Sequence, residues 1–143
     1  MRPASTALIT AFALSFSALV GVTGATSSAQ NPGGSPEGKK MVNPTKATPD
    51  SLEAGKTVFL RTCRGCHGET GKGDGPSAKF LKTPPSDLSD AKWDRGATDG
   101  ELFLVIRNGA GPNFDMKPNK VLKDDEIWNI VNYLRSLGPQ TKK

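Results

Sequence analysis

Apolar side chains recur at helical spacing in three stretches of the chain, and the last stretch has the clearest pattern. Its apolar residues are Ile127, Ile130, Val131, Leu134 and Leu137. Spacings of three and four place such side chains on one stripe of an α-helix. Residues 124–126 are acidic, which suits the positive end of the helix dipole. Gly138-Pro139 predicts the end of this helix.

Two further helices are predicted upstream. The first spans about residues 50–62, after Pro49. The second begins at Thr98, because Thr98 and Glu101 have the spacing of a capping box, and Gly109 is a natural left-handed stop. No stretch alternates apolar and polar residues over five or more positions, so the predicted fold is all-α. The Gly- and Pro-rich connections are too long for a compact domain unless a non-protein group organises them.

The first residues of the chain predict export. Arg2 precedes an apolar stretch over residues 7–22, and small residues then lead to Ser27-Ser28-Ala29, which resembles a signal-peptidase site. The apolar stretch is shorter than the ~20 residues that span a bilayer as a helix. We therefore expect residues 1–29 to be a secretory signal peptide and the mature protein to have no membrane span. An uncleaved signal that anchors the protein is the alternative.

Residues 30–49 are rich in Pro, Gly and Lys and contain no aromatic residue. Such a segment buries too little apolar surface to offset its ordering entropy, so we expect a flexible leader. The folded domain is then predicted over residues 50–143, which are 94 residues. Aromatic residues make up only 6% of the chain. A core this small suggests a prosthetic group that completes it.

Charge and ligand counts exclude several classes of protein. A net charge of +5 is mild and is not organised into the basic stripes of a nucleic-acid binder. Two cysteines and one histidine exclude zinc ribbons, iron–sulfur clusters held by four thiolates, and metal sites with two histidines.

The sequence Cys63-Arg64-Gly65-Cys66-His67 carries the most specific chemical signal. Two thiols at this spacing can add across the two vinyl groups of one porphyrin, and the adjacent His67 is then held beneath the iron. A disulfide, a thioredoxin-like redox site and a zinc site compete with this interpretation. The redox site lacks its βαβ context, and the zinc site lacks further ligands. We therefore predict one covalently attached haem c, with iron as the bound metal.

The sixth iron ligand is predicted to be Met116. A second histidine is excluded, Met1 leaves with the signal peptide, and Met41 lies in the predicted leader. Met116 lies in a Gly- and Pro-rich loop before the last helix, from which a thioether can reach the iron face opposite His67. The alternatives are a Met116 that only fills a gap in the core, a five-coordinate iron, and a lysine or asparagine ligand.

The attachment motif, Met116 and a last helix containing Tyr133-Leu134 resemble a class I c-type cytochrome of the small bacterial mono-haem kind. The resemblance covers about residues 50–137. It includes a G-x-G-D-G-P loop at Gly71–Pro76 and the family's helix crossing, with its residues at Gly55, Phe59, Ile130 and Tyr133. The resemblance implies the cytochrome c fold: about three main helices and long loops around one haem. It also implies that the carbonyl of Pro76 accepts a hydrogen bond from the ring of His67.

This resemblance implies an exported, periplasmic carrier of single electrons that is not an enzyme. The alternatives are a haem-bearing subunit of a periplasmic dehydrogenase or oxidase complex, and a five-coordinate sensor or peroxidase-like protein. Five lysines could steer redox partners with acidic docking surfaces, or could be an ordinary solvated surface: Lys72, Lys79, Lys82, Lys117 and Lys120. The sequence departs from the family at Lys117, which separates Met116 from Pro118, and at Lys123, where a helix-capping Ser or Thr is usual.

Overall fold

Helices joined by long loops make up the fold. The computed structural model describes residues 34–90, 92–111 and 115–138, so the predicted signal peptide lies outside the described residues. Within these ranges there is no strand, which confirms the all-α prediction. The four α-helices are α1 (Pro49–Thr62), α2 (Arg64–His67), α3 (Asp99–Asn108) and α4 (Asp124–Leu137). Single 3-10 turns occur at Gly38–Lys40 and Ala78–Phe80.

The start of each long helix follows from its capping residues. Thr48 Oγ1 accepts from the amide of Ser51 at 3.2 Å, so α1 begins at Pro49, one residue before the predicted start. The capping box predicted for α3 is confirmed: Glu101 Oε2 accepts from the amide of Thr98 at 2.9 Å, and Thr98 Oγ1 accepts from the amide of Glu101 at 3.3 Å.

At the start of α4, a glutamate supplies the cap that the N-cap residue lacks. The side chain of Lys123 makes no capping hydrogen bond, as its chemistry requires. Glu126 Oε2 instead accepts from the amide of Lys123 at 2.9 Å, and its other oxygen pairs with Arg61 at 3.0 Å. The amide of Lys123, at the start of α4, thus has a hydrogen-bond partner although the N-cap residue is neither Ser nor Thr.

The core forms where α1 and α3 pack against α4. Its buried side chains are Val58, Phe59, Leu102, Phe103, Ile106, Leu122, Ile127, Trp128, Ile130, Val131, Tyr133 and Leu134. The rings of Phe103 and Trp128 stack with centroids 4.3 Å apart, and those of Phe59 and Tyr133 lie tilted at 5.3 Å. Residues of helices distant in the sequence therefore share one apolar cluster.

Gly55 lets α1 approach α4 closely. A methyl group at this position would lie 2.0 Å from the carbonyl oxygen of Asn129 and 3.0 Å from Cβ of Tyr133. Because the nearest atom belongs to helix backbone, no side-chain rotation can relieve the overlap. The helix crossing that the family resemblance implied is thus formed in the structure.

Replacement of Gly55 by alanine is therefore expected to destabilise the protein. Alanine favours the helix by about 1 kcal/mol, but the overlap with α4 outweighs this gain, and we expect a net loss of about 3 kcal/mol. Urea unfolding of the mature protein, followed by circular dichroism, measures the change. Lys56→Ala, at the exposed neighbouring position, is the control and should change stability by less than about 0.5 kcal/mol. Equal stabilities for the two variants would show that the crossing tolerates a side chain.

Residues 34–48, which we call the N-terminal strap, lie against the helical domain. The prediction of a flexible leader over residues 30–49 therefore needs correction for these described residues. Gly38 is buried, and its carbonyl oxygen lies 3.3 Å from Thr98 Oγ1. The strap also approaches α3 at Gly100, where a methyl group would lie 2.3 Å from that same carbonyl oxygen.

A buried asparagine on α4 holds the other end of the strap. Asn132, 5% exposed, accepts from Asn43 Nδ2 at 2.9 Å and donates to the carbonyl of Thr45 at 3.0 Å and to Ser51 Oγ at 2.8 Å. These hydrogen bonds replace the apolar burial that the composition of the strap lacks. Composition alone could not reveal them, because the partners lie almost ninety positions away.

No helix in the described ranges combines the length and apolar character that a membrane crossing requires.

Candidate cofactor site

The attachment motif lies where α1 ends and the four-residue helix α2 begins. Cys63 caps α1, and the amides of Cys66 and His67 both donate to its carbonyl, at 3.2 and 3.0 Å. These hydrogen bonds fold the motif into one helical turn. The sequence did not predict α2, because four residues with a glycine among them carry no apolar periodicity. The turn presents both cysteines and the histidine to the same cavity.

The two thiols are free and half-buried, and no disulfide joins them. Burial raises the pKa of Cys63, against a lowering by the hydroxyl of Thr62, whose Oγ1 lies 3.3 Å from Cys63 Sγ. Proximity to Cys66 adds to the increase. Cys63 is therefore a neutral thiol near pH 7.

The imidazole of His67 is held by a backbone carbonyl. Its Nδ1 lies 3.4 Å from the carbonyl oxygen of Ser86. The prediction of Pro76 as this partner is therefore wrong. Pro76 lies instead along a separate shallow cavity beside Arg64 and Gly65. Ser86 follows Pro84-Pro85 in the long connection between α2 and α3, and the sequence contains no local signal that this carbonyl approaches the ring.

The protonation of His67 suits a metal ligand. Burial lowers the pKa of His67, and this effect outweighs the opposing influence of the Ser86 carbonyl. The ring is therefore neutral near pH 7. With Nδ1–H donating to Ser86, Nε2 carries the lone pair, which is the tautomer that a metal-binding imidazole needs.

A cavity of about 460 Å³ opens beside the motif. Its size falls in the range of cofactor pockets, about 300–1,000 Å³. Apolar side chains from all three long helices form much of its wall: Phe59, Leu102, Val105, Ile106, Ile130 and Leu134. Leu81, Leu88, Trp93 and three consecutive loop residues, Thr83, Pro84 and Pro85, complete the wall from the long connection. Trp93 thus faces the cavity, with Arg135 5.4 Å above its ring.

Met116 reaches this cavity from the loop between α3 and α4, and it is half-buried against the core. Its carbonyl accepts from the amide of Ala110 at 3.0 Å. Gly109 allows this approach: it has φ +77°, and a methyl group there would lie 2.7 Å from the Met116 carbonyl oxygen. Met41 packs against the core from the strap and is not part of the cavity wall. Met1 lies outside the described residues.

Two side chains whose contacts the sequence did not predict hold the methionine loop. Asp115 Oδ2 accepts from the amide of Lys82 at 2.7 Å, which joins this loop to the loop that carries Ser86. Arg107 donates to the carbonyls of Asn119 and Leu122, at 3.2 and 2.7 Å, and pairs with the carboxylate of Asp124. Both pairings depend on the tertiary fold, although Arg107 at the end of a helix before a loop is a position where carbonyls often need donors.

The five lysines named above are all exposed, and Lys117 also lines the cavity together with Lys92. Positive charge is therefore present near the opening. The chemistry of the whole cavity fits a haem: two thiols, a neutral imidazole and a thioether lie around an apolar volume of sufficient size.

Comparison with known proteins identifies the family. The family model described as "Cytochrome c" matches residues 52–138, more than half of the chain. The chain belongs to the cytochrome c family. Members of this family bind haem c covalently, so the prediction of haem c as the cofactor is confirmed.

Curated relatives of this cytochrome c include oxidase subunits. The cbb3-type cytochrome c oxidase subunit FixP of Bradyrhizobium diazoefficiens is 36% identical over 99 residues, which cover 62% of this chain and 31% of the relative. Subunit FixPc of Rhizobium leguminosarum bv. viciae is 30% identical, covering 68% and 31%. The chain thus spans about a third of the length of these relatives.

Solved structures with the same fold belong to other redox proteins. A chain of the reducing HAO-like protein complex of Kuenenia stuttgartiensis matches with a TM-score of 0.62 and 30% identity, covering 67% of this chain and 47% of that one. Cytochrome cL of Methylophaga aminisulfidivorans matches with a TM-score of 0.50 and 30% identity, covering 62% and 53%. The cytochrome c fold is therefore shared with both.

Proposed function

We propose that this cytochrome c carries single electrons through one haem, with Cys63 and Cys66 as the attachment residues and His67 and Met116 as the axial ligands. The observation that carries the proposal is the cavity itself, whose wall contains all four side chains. The thiol of each cysteine would add across a vinyl group of the haem: sulfur would bond to one vinyl carbon and the hydrogen would go to the other, so no external oxidant or reductant would be consumed.

The chain's own residues would set the redox properties. His67 would hold the iron through its Nε2 lone pair, while the Ser86 carbonyl, 3.4 Å from Nδ1, fixes the ring orientation. The thioether of Met116 is a weak donor, and the apolar wall disfavours the extra charge of ferric iron, so both raise the reduction potential. If His67 and Met116 both hold the iron, no coordination position would be left for a substrate. This arrangement supports electron transfer rather than catalysis.

A visible spectrum in both redox states tests this function. The natively matured protein is expected to give a sharp haem c spectrum when reduced and, when oxidised, the weak far-red band of sulfur-ligated ferric iron. Its mass should exceed that of the peptide by one haem, and acid–acetone should not extract the colour. A colourless protein with the peptide mass would refute haem attachment. Five-coordinate iron with rapid CO binding would instead favour the sensor or peroxidase-like alternative.

A second candidate is a subunit of a larger redox complex. It is favoured by the matches to oxidase subunits and to a chain of the HAO-like complex. The haem chemistry would be the same, but the redox partner would be permanent. Gel filtration of a native extract distinguishes the two. A freely diffusing protein of its own mass supports the soluble carrier, and co-elution with a larger assembly supports the subunit.

We further propose that the protein works in the periplasm, after export directed by residues 1–29, and meets partners with acidic docking surfaces. The exposed lysines support such partners. N-terminal sequencing of the mature protein tests export: a start at Gln30 supports cleavage, and retention of the apolar stretch supports an anchored form.

The hydrogen bond between Asp115 and the amide of Lys82 predicts a measurable effect on ligation. Asp115→Ala removes the acceptor that joins the methionine loop to the opposite loop. We expect the far-red band to disappear at a lower urea concentration, because the Met116-ligated state loses about 2 kcal/mol of stability. The helical circular dichroism without urea should be unchanged. Asp115→Asn keeps an acceptor oxygen, so its loss of stability should be less than half of the loss in Asp115→Ala. Equal losses in the two variants would show that this hydrogen bond does not hold the loop.

A further inference from the structure

Glu101 is a carboxylate buried far more deeply than its helix-capping role requires. The residue is 2% exposed. Its Oε2 accepts from both the amide and the hydroxyl of Thr98, at 2.9 Å each, but its Oε1 is buried and has no hydrogen-bond partner among the described residues. Capping needs only one of the two oxygens. A buried carboxylate oxygen without a partner calls for another explanation.

The strap covers this carboxylate with bare backbone. A methyl group at Gly34 would lie 1.9 Å from Glu101 Oε1, and one at Gly38 would lie 2.8 Å from Glu101 Cα. Both strap glycines therefore press directly against the side chain and the helix. This cover keeps water out of direct contact with the carboxylate, so its charge is screened less than that of an exposed capping glutamate.

Glu101 is nevertheless ionised. Burial pushes its pKa upward, but the hydrogen bonds from Thr98, with smaller contributions from the charge of Lys39 and the nearby backbone of Ala97, outweigh burial, so the pKa lies below its usual range. Lys39 itself is exposed, and solvent screens its charge. Near pH 7 the structure therefore keeps a full negative charge inside the protein.

This charge lies directly behind the wall of the cofactor cavity. Gly96 lines the cavity, and a methyl group at Gly96 would lie 2.4 Å from Glu101 Cδ. Only the backbone of residue 96 therefore stands between the carboxylate and the cavity at this point. The next residue of α3, Leu102, also lines the cavity. No other carboxylate of the described residues combines this burial with this position.

We propose that Glu101 tunes the haem, as a fixed buried charge that stabilises ferric iron and lowers the reduction potential. The inference rests on the proposed function, because it requires a haem in the cavity. Ferric haem carries one more positive charge than ferrous haem, so a carboxylate sealed from water favours the oxidised state. Glu101 thus offsets part of the increase in reduction potential that the apolar wall and the Met116 thioether produce.

The test is the reduction potential of Glu101→Gln, measured by spectroelectrochemical titration of the mature protein. Glutamine keeps the size of the side chain and an oxygen for the Thr98 amide, and it removes the charge. We expect the equilibrium constant for reduction to rise at least threefold, which is about 28 mV at 59 mV per tenfold change. The far-red band should be retained, which shows that the axial ligands are unchanged.

Glu126→Gln is the matched control. Glu126 caps α4 as Glu101 caps α3, with an oxygen 2.9 Å from the amide of Lys123, but its side chain is 29% exposed and it does not line the cavity. A purely structural role for both residues would give two variants with lower stability and unchanged potentials. An unchanged potential in Glu101→Gln, with the far-red band present, would overturn the proposal.

A second variant decides the question if Glu101→Gln does not fold. Gly34→Ala keeps the carboxylate but pushes the strap away from it, since its methyl group would overlap Oε1. Water then reaches Glu101, and the potential is expected to rise in the same direction by a smaller amount. An unchanged potential would contradict the proposal. A wild-type protein without a haem spectrum would instead refute the proposed function, before either variant is compared.

Discussion

Cys63→Ala/Cys66→Ala protein is expected to be exported without covalent haem and to lose most of its helical circular dichroism. Both thioether bonds are removed, so neither side chain can retain the cofactor in its cavity. The long helices α1, α3 and α4 all contribute to the cavity wall. Loss of the cofactor therefore removes a packing partner that is common to all of them.

The size of the cavity indicates how large this effect is. A residual cavity costs about 24 cal/mol per Å³ in a protein core. At about 460 Å³, the space that the haem would leave is much larger than the cavity of a single core truncation, and even a fraction of such a cost is large beside the whole stability of a typical domain, about 5–15 kcal/mol. The helices can collapse or admit water, but either change breaks the packing of α1 and α3 on α4. We therefore expect an apoprotein that is largely unfolded.

Thr62→Ala is a suitable control for the double variant, because the Thr62 hydroxyl lies 3.3 Å from Cys63 Sγ but forms no bond to a cofactor. It should mature with haem and keep a native spectrum. Far-ultraviolet circular dichroism and mass spectrometry of both proteins provide the comparison. A native-like helical spectrum in the double cysteine variant would show that the polypeptide core is sufficient without the haem.

Much of the fold could be predicted from the sequence, because its determinants are local. Thr98 and Glu101, three positions apart, predict the start of α3, and an apolar stripe within fourteen residues predicts α4. The attachment motif is likewise contained in five consecutive residues. Such patterns need no knowledge of the tertiary structure.

The errors concern groups whose partners are distant along the chain. The strap has the composition of a linker, yet Asn132 supplies the hydrogen bonds that hold it. The ring of His67 is paired with Ser86 rather than Pro76 because the loop after the motif folds back over nineteen positions. Local propensity does not specify such pairings; they follow from the cavity around which the loops close.

Glu101 combines a property that the local sequence predicts with one that depends on residues distant along the chain. Its capping role was evident from spacing alone, and the structure confirms it. Its burial was not evident, because the strap that covers it was predicted to be flexible. The same side chain thus has a local role that the sequence reveals and a tertiary environment that only the fold provides.

Met116→Leu is expected to leave the fold intact but to change the ligation and the reduction potential of the iron. Leucine has nearly the volume of methionine, so the half-buried contact with the core should cost less than about 1.5 kcal/mol. The thioether is lost, and with it the far-red band. We expect the reduction potential to fall by on the order of 0.1 V, within the ~0.8 V range that axial ligands span, and CO to bind rapidly to the reduced protein.

Met41→Leu separates ligation from packing. Met41 is also half-buried against the core, but it belongs to the strap and does not line the cavity. It should keep the far-red band, the potential and resistance to CO. If Met116→Leu behaved like Met41→Leu, the ligand would have to come from another side chain, as in the lysine or asparagine alternative. Loss of the far-red band, a lower potential and CO binding in Met116→Leu alone would instead require that the sulfur of Met116 binds the iron. The two substitutions remove the same atoms from similarly buried positions, so packing cannot explain the difference.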